Sequence, residues 1–533
     1  MCCWRSCRQS PRGEAGDGVA EPIRLIRGVV TVGLWTLLSR GAGFLRDIMI
    51  AAFLGTGAMA DAFNIAFALP NMFRRFFAEG AFNMAFVPLY AKKLTSREDA
   101  DGFARDAFSG LASVLVIFAL LGTLLMPWLV WAMASGFAGD ARFDLAVTYG
   151  RISFVYIFFI SLVALISGVL NSHGRFIEAA AVPVLMNVMF IGAMLIAWRA
   201  GWNMGLALAW TVPITGVVQL AFTWGAAARL GYAPRLGWPR MTPEVKRLLI
   251  IAGPVVLSGG VVQINLIAGR QIASYTEGAV SWLVYADRLY QLPLGVVGVA
   301  VGTVLLPELS RRLGAGDTAG GRNALNRAAE FAFALTLPAA AALMVIAWPL
   351  VSVLYGRGAF GAADAEATAL ALAIYGAGLP AFVLQKVLQP LFYAREDTRR
   401  PFHYALAAMV INIAVAVGLG LVIGWSAAAW GMTLSAWAMA GLLWLGSRRL
   451  GEAAQVDARL RRRLWRILTA TLIMVAALRG LTYMLGDWLL EPALRYVALA
   501  LLVGAGAAVY FASGTLLGAF RLSELRGAVK RGA

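Results

Sequence analysis

Seven cations lie inside stretches that are otherwise apolar enough to cross a bilayer. They are Arg40 and Arg46 in LSRGAGFLRD, Arg74 and Arg75 in ALPNMFRRFFAEG, Arg270, Arg288 in YADRLYQLP, and Lys386 between Gln385 and Gln389. Four carboxylates accompany them, Asp47, Asp61, Glu79 and Asp287. A charge near the bilayer centre costs roughly 2.5–3.5 kcal/mol on insertion scales, so such side chains normally face a polar cavity. Arg40 and Asp47 stand seven apart and share a helical face. Positions 61, 64, 68, 71, 75 and 79 form one i+3/i+4 stripe, polar at all but Ala68. Internal pairing is the alternative for Arg75 with Glu79 and for Arg46 with Asp47, and some of the arginines could instead snorkel to the membrane surface. Taken together the cations outnumber the anions, and a chamber with surplus positive charge suits an anionic guest. The guanidinium fork matches phosphate oxygens in particular, so the chemistry implied is recognition of a phosphate-bearing head. No catalytic residue and no metal ligand is expected.

The elements that must position these groups follow from composition. The chain has 533 residues, 60% of them hydrophobic and 14% charged, against about 25% charged in soluble proteins. Lipid must be the solvent for much of it. Leu111–Leu129 and Ile152–Leu170 are apolar on all sides rather than in alternation, which excludes a β-barrel and predicts helices. Membrane-spanning helices need about 20 apolar residues, and about fourteen such segments follow one another with short connections. The fold expected is therefore an all-α polytopic membrane protein.

Charge alternates between the loops. Roughly 33 of the 46 Lys and Arg fall on one side together with both termini, and about five on the other, which puts both termini in the cytoplasm and requires an even number of spans. The net charge of +18 has the same explanation, and nucleic acid is not an expected partner. Cys2, Cys3 and Cys7 have no downstream partners for a disulfide framework, and two histidines do not make a zinc site. Residues 1–22 lack the apolar core of a signal peptide and read as a disordered, dispensable extension.

ALPNMFRRFFAEGAFNMAFVPLYAKKL in the second span and QLPLGVVGVAVGTVLLPELSRRL in the eighth share a Leu-Pro step, a small-residue middle, a second proline and a basic exit. Each lies second in its set of six spans, so the repeats are parallel: two six-helix lobes related by a pseudo-two-fold axis along the membrane normal. The lobes expected are 23–230 and 231–450, with 451–533 holding two further spans and a basic tail. Gly41 and Gly43 permit close helix contact or a break. Pro70, followed by Asn71, would bend the second span, and Pro293 marks the corresponding place in the eighth.

These three segments, LSRGAGFLRD, ADAFNIAFALPNMFRRFFAEGAFNMAFVPLYAKK and YADRLYQLPLGVVGVAVGTVLLPELS, resemble the MurJ/MviN family of lipid II flippases, within the MOP exporter superfamily. The resemblance runs from Ile23 to the C-terminus. It implies a V-shaped pair of lobes around a central cationic cavity, and a groove formed by the last two helices for an undecaprenyl tail. Arg40, Arg46, Arg74, Asp61 and Arg288 match the family's essential cavity positions. The resemblance further implies an inner-membrane transporter rather than an enzyme, with lipid II and membrane lipids as partners and cell-wall synthesis and division proteins as further candidates. It carries a dependence on a monovalent cation or the membrane potential; no clear sodium signature is present, and Asn412 is a weak candidate. On this basis Arg46, Arg74 and Arg288 are expected to grip a diphosphate, while Asp61 either competes for the arginines or belongs to an outer gate. The rival closest in chemistry is another MOP exporter, moving a polyprenyl-diphosphate-linked polysaccharide. A membrane glycosyltransferase would need a sizeable external domain, and a lipid phosphatase a His/Arg/Ser constellation; neither is present.

Overall fold

The computed structural model describes residues 20–75, 81–96 and 98–520. The chain runs through α1 (Ala20–Leu54), α2 (Ala58–Arg74), α3 (Ala81–Ser96), α4 (Ala100–Leu124), α5 (Met126–Met133), α6 (Ala141–Phe154), α7 (Tyr156–Ser172), α8 (Phe176–Ala200) and α9 (Met204–Arg229). An extended connection then leads to α10 (Pro243–Ser274), α11 (Ala279–Gly314), α12 (Thr318–Val345), α13 (Ala347–Tyr355), α14 (Ala362–Tyr393), α15 (Arg399–Ile423) and α16 (Ala427–Ser447). Finally come α17 (Ala458–Met484), α18 (Gly486–Leu490) and α19 (Arg495–Leu516). No strand occurs among the described residues.

Side-chain caps begin many of these helices where the sequence supplies them. Asp99, Asn203, Asp317 and Asp457 accept from the backbone N–H three residues on, meeting a donor that the helix itself cannot satisfy. Gly201, at φ 68°, ends α8 in the left-handed conformation with open space around it. Among the described residues nine segments are long and apolar enough to cross a membrane, one of them holding both α15 and α16. The helices that fall outside that set include α1, α2, α10 and α11, which carry most of the buried-charge candidates. The count of fourteen thus remains an expectation, while the polytopic all-helical class is observed.

Three sequence expectations meet the structure here. α1 is unbroken through Gly41 and Gly43; a methyl on Gly43 would lie 3.4 Å from the Asn187 amide on α8, while Gly41 faces open space. α1 is already helical at Ala20, the first described residue, and so reaches into the stretch expected to be an extension; residues 1–19 and the basic tail from 521 lie outside the described residues, as does Glu79. Of the two repeat copies, the second span is described as α2 and α3 on either side of residues 76–80, which lie outside the described residues, and α11 carries both Pro293 and Pro307 within one helix.

One buried core runs from the first half into the second, joining Phe63, Phe86, Phe108 and Phe190 to Tyr285, Tyr290 and Tyr355. Outside it, Leu124, Trp128, Leu421 and Leu516 are exposed, as lipid-facing side chains should be. α17 and α19 dock on α12 and its neighbour through Ile346, Met474, Leu478, Leu502 and Tyr510, whose hydroxyl donates to Ala334 O at 2.6 Å. At the basic end the Glu330 carboxylate of α12 meets Arg327 at 2.6 Å, Arg463 at 3.3 Å and Arg459 at 3.4 Å, the last two on α17. Arg327 also pairs with Asp457, the cap of α17. Replacing Glu330 with alanine would leave these arginines without their common acceptor. Part of the loss is recovered by water, because Arg459 is half exposed, and the expected destabilisation is about 2–3 kcal/mol. Thermal unfolding in detergent checks this: the Glu330→Ala protein should melt several degrees lower, and an unchanged melting temperature contradicts the docking role.

Candidate functional site

The two halves meet at a carboxylate. On α1, the Arg46 guanidinium donates to its neighbour Asp47 Oδ1 through Nε (3.1 Å) and Nη2 (2.7 Å), and through Nη1 to Asn187 Oδ1 on α8 (3.0 Å). Asn187 is oriented in turn by donating to Ser39 O at 2.9 Å, and the Phe190 ring lies 5.6 Å from the guanidinium carbon. The second oxygen of Asp47 forms an ion pair with Nε of Arg288, on α11, at 3.2 Å. Asp47 is buried, whereas the Arg288 side chain keeps 39% of its exposure, and neither of its Nη groups bonds another described residue. One anion therefore aligns two arginines from opposite halves and leaves the terminal donors of one of them open.

Further charge gathers around this pair. Arg40, one turn and a half earlier on α1, is exposed, and its guanidinium lies against Gly295 of α11, where a methyl would come within 2.7 Å of Nη1. Arg270 of α10 feels the charge of Asp287 and, repulsively, those of Arg75 and Arg288. Asp287 itself accepts from Gln291 one turn on. Arg75 is exposed at the end of α2 beside the half-buried Arg74, and Asn71 Nδ2 donates to Phe67 O at 2.8 Å within the turn that holds Pro70. The pairing of Arg75 with Glu79 lies outside the described residues. Lys386 of α14 is exposed, while its neighbour Gln385 turns inward to donate to Ala436 O at 2.9 Å.

Asp61 departs from the cationic group. It is fully buried near the arginine-poor end of α2 and accepts from Gly278 N (2.8 Å), Ser281 N (3.0 Å) and Ser281 Oγ (2.7 Å). These donors form the start of α11, so a carboxylate from the first half caps a helix of the second at its positive end. Gly278 adopts φ 84° there, a conformation open to glycine. Arg142, at the start of α6, is buried; it pairs with Asp140 at 2.6 Å, reaches Asp61 at 3.7 Å and lies over the Phe137 ring. In this structure Asp61 bonds the start of α11, across the junction of the two halves, and not Arg46, Arg74 or Arg288.

The same end holds further links that sequence reasoning missed. Asp364, at the start of α14, accepts from Thr56 Oγ1, from Trp282 Nε1 (3.1 Å) and from Gly361 N (2.8 Å). Tyr285 OH donates to Gly55 O, and Gln271 joins Ser135 N to the carbonyls of Trp131 and Ala132. A lone asparagine in an apolar span was a signal for Asn187; nothing in the sequence singles out Ser281 or Thr56. Asn412 donates to Asn265 Oδ1 at 2.5 Å, an amide pair without a carboxylate. Among the described residues no group of three or more acidic, His or Cys side chains is placed to hold a metal.

The model of the lipid II flippase MurJ family matches residues 50–501. This chain belongs to that family. Relatives agree along its length. A probable lipid II flippase MurJ of Rhizobium meliloti (strain 1021) is 45% identical over 523 residues, covering 96% of this chain and 97% of the relative. The lipid II flippase MurJ of Burkholderia cenocepacia is 39% identical over 398 residues, covering 73% and 77%. Among solved structures, a lipid II flippase MurJ in an inward-closed conformation superposes with a TM-score of 0.75 over 91% of this chain and 98% of the other, at 23% identity. An inward-facing multidrug-resistance MATE transporter of the MOP superfamily gives 0.66 over 80% and 98%, at 16% identity. The MurJ-family fold in this chain thus presents Arg46, Asp47 and Arg288 at the junction of its two halves, in a multi-pass membrane protein.

Proposed function

We propose that this protein moves lipid II, an undecaprenyl-diphosphate-linked disaccharide-peptide, from the cytoplasmic to the periplasmic leaflet of the bacterial inner membrane for peptidoglycan synthesis, as a transporter and not a catalyst. The arginine-rich end faces the cytoplasm and holds both termini, in keeping with the positive-inside rule. The observation that carries the reading is the bridge from Arg46 through Asp47 to Arg288. A diphosphate arriving beside it meets pre-aligned guanidinium groups from both halves, so binding favours the arrangement that brings them together. Arg40, Arg74, Arg75, Arg270 and Lys386 supply the remaining positive field, and Asp287 tempers it.

The headgroup then crosses through a polar route while the tail stays in lipid beside α17 and α19. The halves rock about the site, and the membrane potential or a monovalent-cation gradient gives the cycle its direction. Asp61 with the start of α11 is the periplasmic gate, shut in the state described above. Acute inactivation of the protein in growing cells tests this function. Newly made lipid II should become protected from a membrane-impermeant probe while its total amount rises; unchanged exposure to the probe contradicts the proposal.

A further inference from the structure

Closure at the arginine-poor end includes close main-chain approaches beside the side-chain bonds of Asp61 and Asp364. Ala359 N donates to Ala52 O at 2.8 Å, joining the last turn of α1 to the loop before α14. A methyl on Gly55 would stand 2.5 Å from Ala359 O, and one on Gly358 would drive into Ala52 O. On the opposite flank of the Asp61 cap, Gly136 N donates to Ser274 Oγ at 3.0 Å, and a methyl on Gly136 would lie 2.6 Å from both Ser274 C and Tyr275 N. In each case the obstructing atoms are main chain from the other half, which no side-chain rotation can clear. Hydrogen-bonded backbone at a water-facing rim can also part cheaply, since water replaces each bond, whereas interlocked apolar side chains would resist opening.

We propose that Gly55, Gly136 and Gly358 form a seam whose lack of side chains lets the two halves close at the periplasmic rim, and that closing it is a required step of every transport cycle. The proposal rests on the alternating-access reading above. A single methyl at any of the three positions acts as a wedge and shifts the protein toward the periplasm-open state. Two of the glycines, at φ 64° and φ 60°, would also suffer local strain as alanine, and Gly201 supplies the control: φ 68°, with nothing within 4 Å of an added methyl.

Nitroxide labels on exposed Ala138→Cys and Glu366→Cys, with Cys2, Cys3 and Cys7 replaced by serine, report the separation of the two halves at this rim by electron-electron double resonance. Gly55→Ala, Gly136→Ala and Gly358→Ala should each raise the long-distance population at least threefold over the otherwise unchanged labelled protein, and Gly201→Ala should leave it as it was. Gly136→Ala carries no positive-φ strain and decides the matter if either of the other variants fails to fold. Wedge variants with an unaltered distance distribution would overturn the seam, even where two populations are present and respond to added lipid II. One fixed distance in the parent protein, with and without lipid II, would overturn the two-state cycle itself and the seam with it.

Discussion

Replacing Asp61 with alanine should lower lipid II transport by on the order of 100-fold at normal protein levels, through a shift of about 3 kcal/mol in the balance between the two end states. Three donors at the start of α11 lose a charged acceptor, and Arg142, which is buried beside it, keeps Asp140 as its ion-pair partner. Hydrogen bonds to charged groups contribute roughly 1.5–3 kcal/mol each, and water entering the opened rim restores part of that sum. Ser281→Ala removes the hydroxyl bond alone and should cost about tenfold. Asp61→Asn should fall between the two, because its amide retains one acceptor but turns a donor toward backbone N–H groups. Transport in reconstituted vesicles measures all three. A fully active Asp61→Ala protein would remove Asp61 from the gate.

Arg288 should be as sensitive, for a different reason. Its Nε is committed to Asp47, and its two Nη groups are the donors left for a ligand. Arg288→Ala should weaken lipid II binding by about 100-fold or more, the loss of two charge-assisted bonds. Arg288→Lys keeps the charge but offers a single ammonium, which cannot hold Asp47 and fork onto a diphosphate at once; a loss of about 10- to 30-fold is expected. Binding of labelled lipid II to purified protein separates these outcomes. Equal affinity of the lysine variant and the parent would show that charge alone suffices and that the fork has no role.

The class of fold and the chemistry of the ligand were legible because both are written in residue types. A chain this apolar has one solvent available to it, and arginines inside its spans need a reason to be there. Arg46 and Asp47 are neighbours in sequence, so their pairing could be read directly. That Arg288 shares the same carboxylate depends on how α1 and α11 pack across 241 positions, and no local pattern carries that. Arg142 was hidden by its setting. It follows a loop at the start of α6, where an exposed charge is the ordinary case; its burial comes from Phe137 and Asp61, which reach it from other elements. The same holds for Gly55 and Gly358, which in sequence look like any turn glycine. Only the opposing main chain shows what their missing side chains make room for.

Transport selectivity between two lipids tests the central claim most directly. Vesicles containing the purified protein would be offered lipid II and an analogue with the same sugars, peptide and tail in which an uncharged linker replaces the diphosphate. If guanidinium groups from both halves hold the phosphates, lipid II appears at the far leaflet and the analogue stays at the rate of protein-free vesicles. Equal movement of the two lipids would contradict the account.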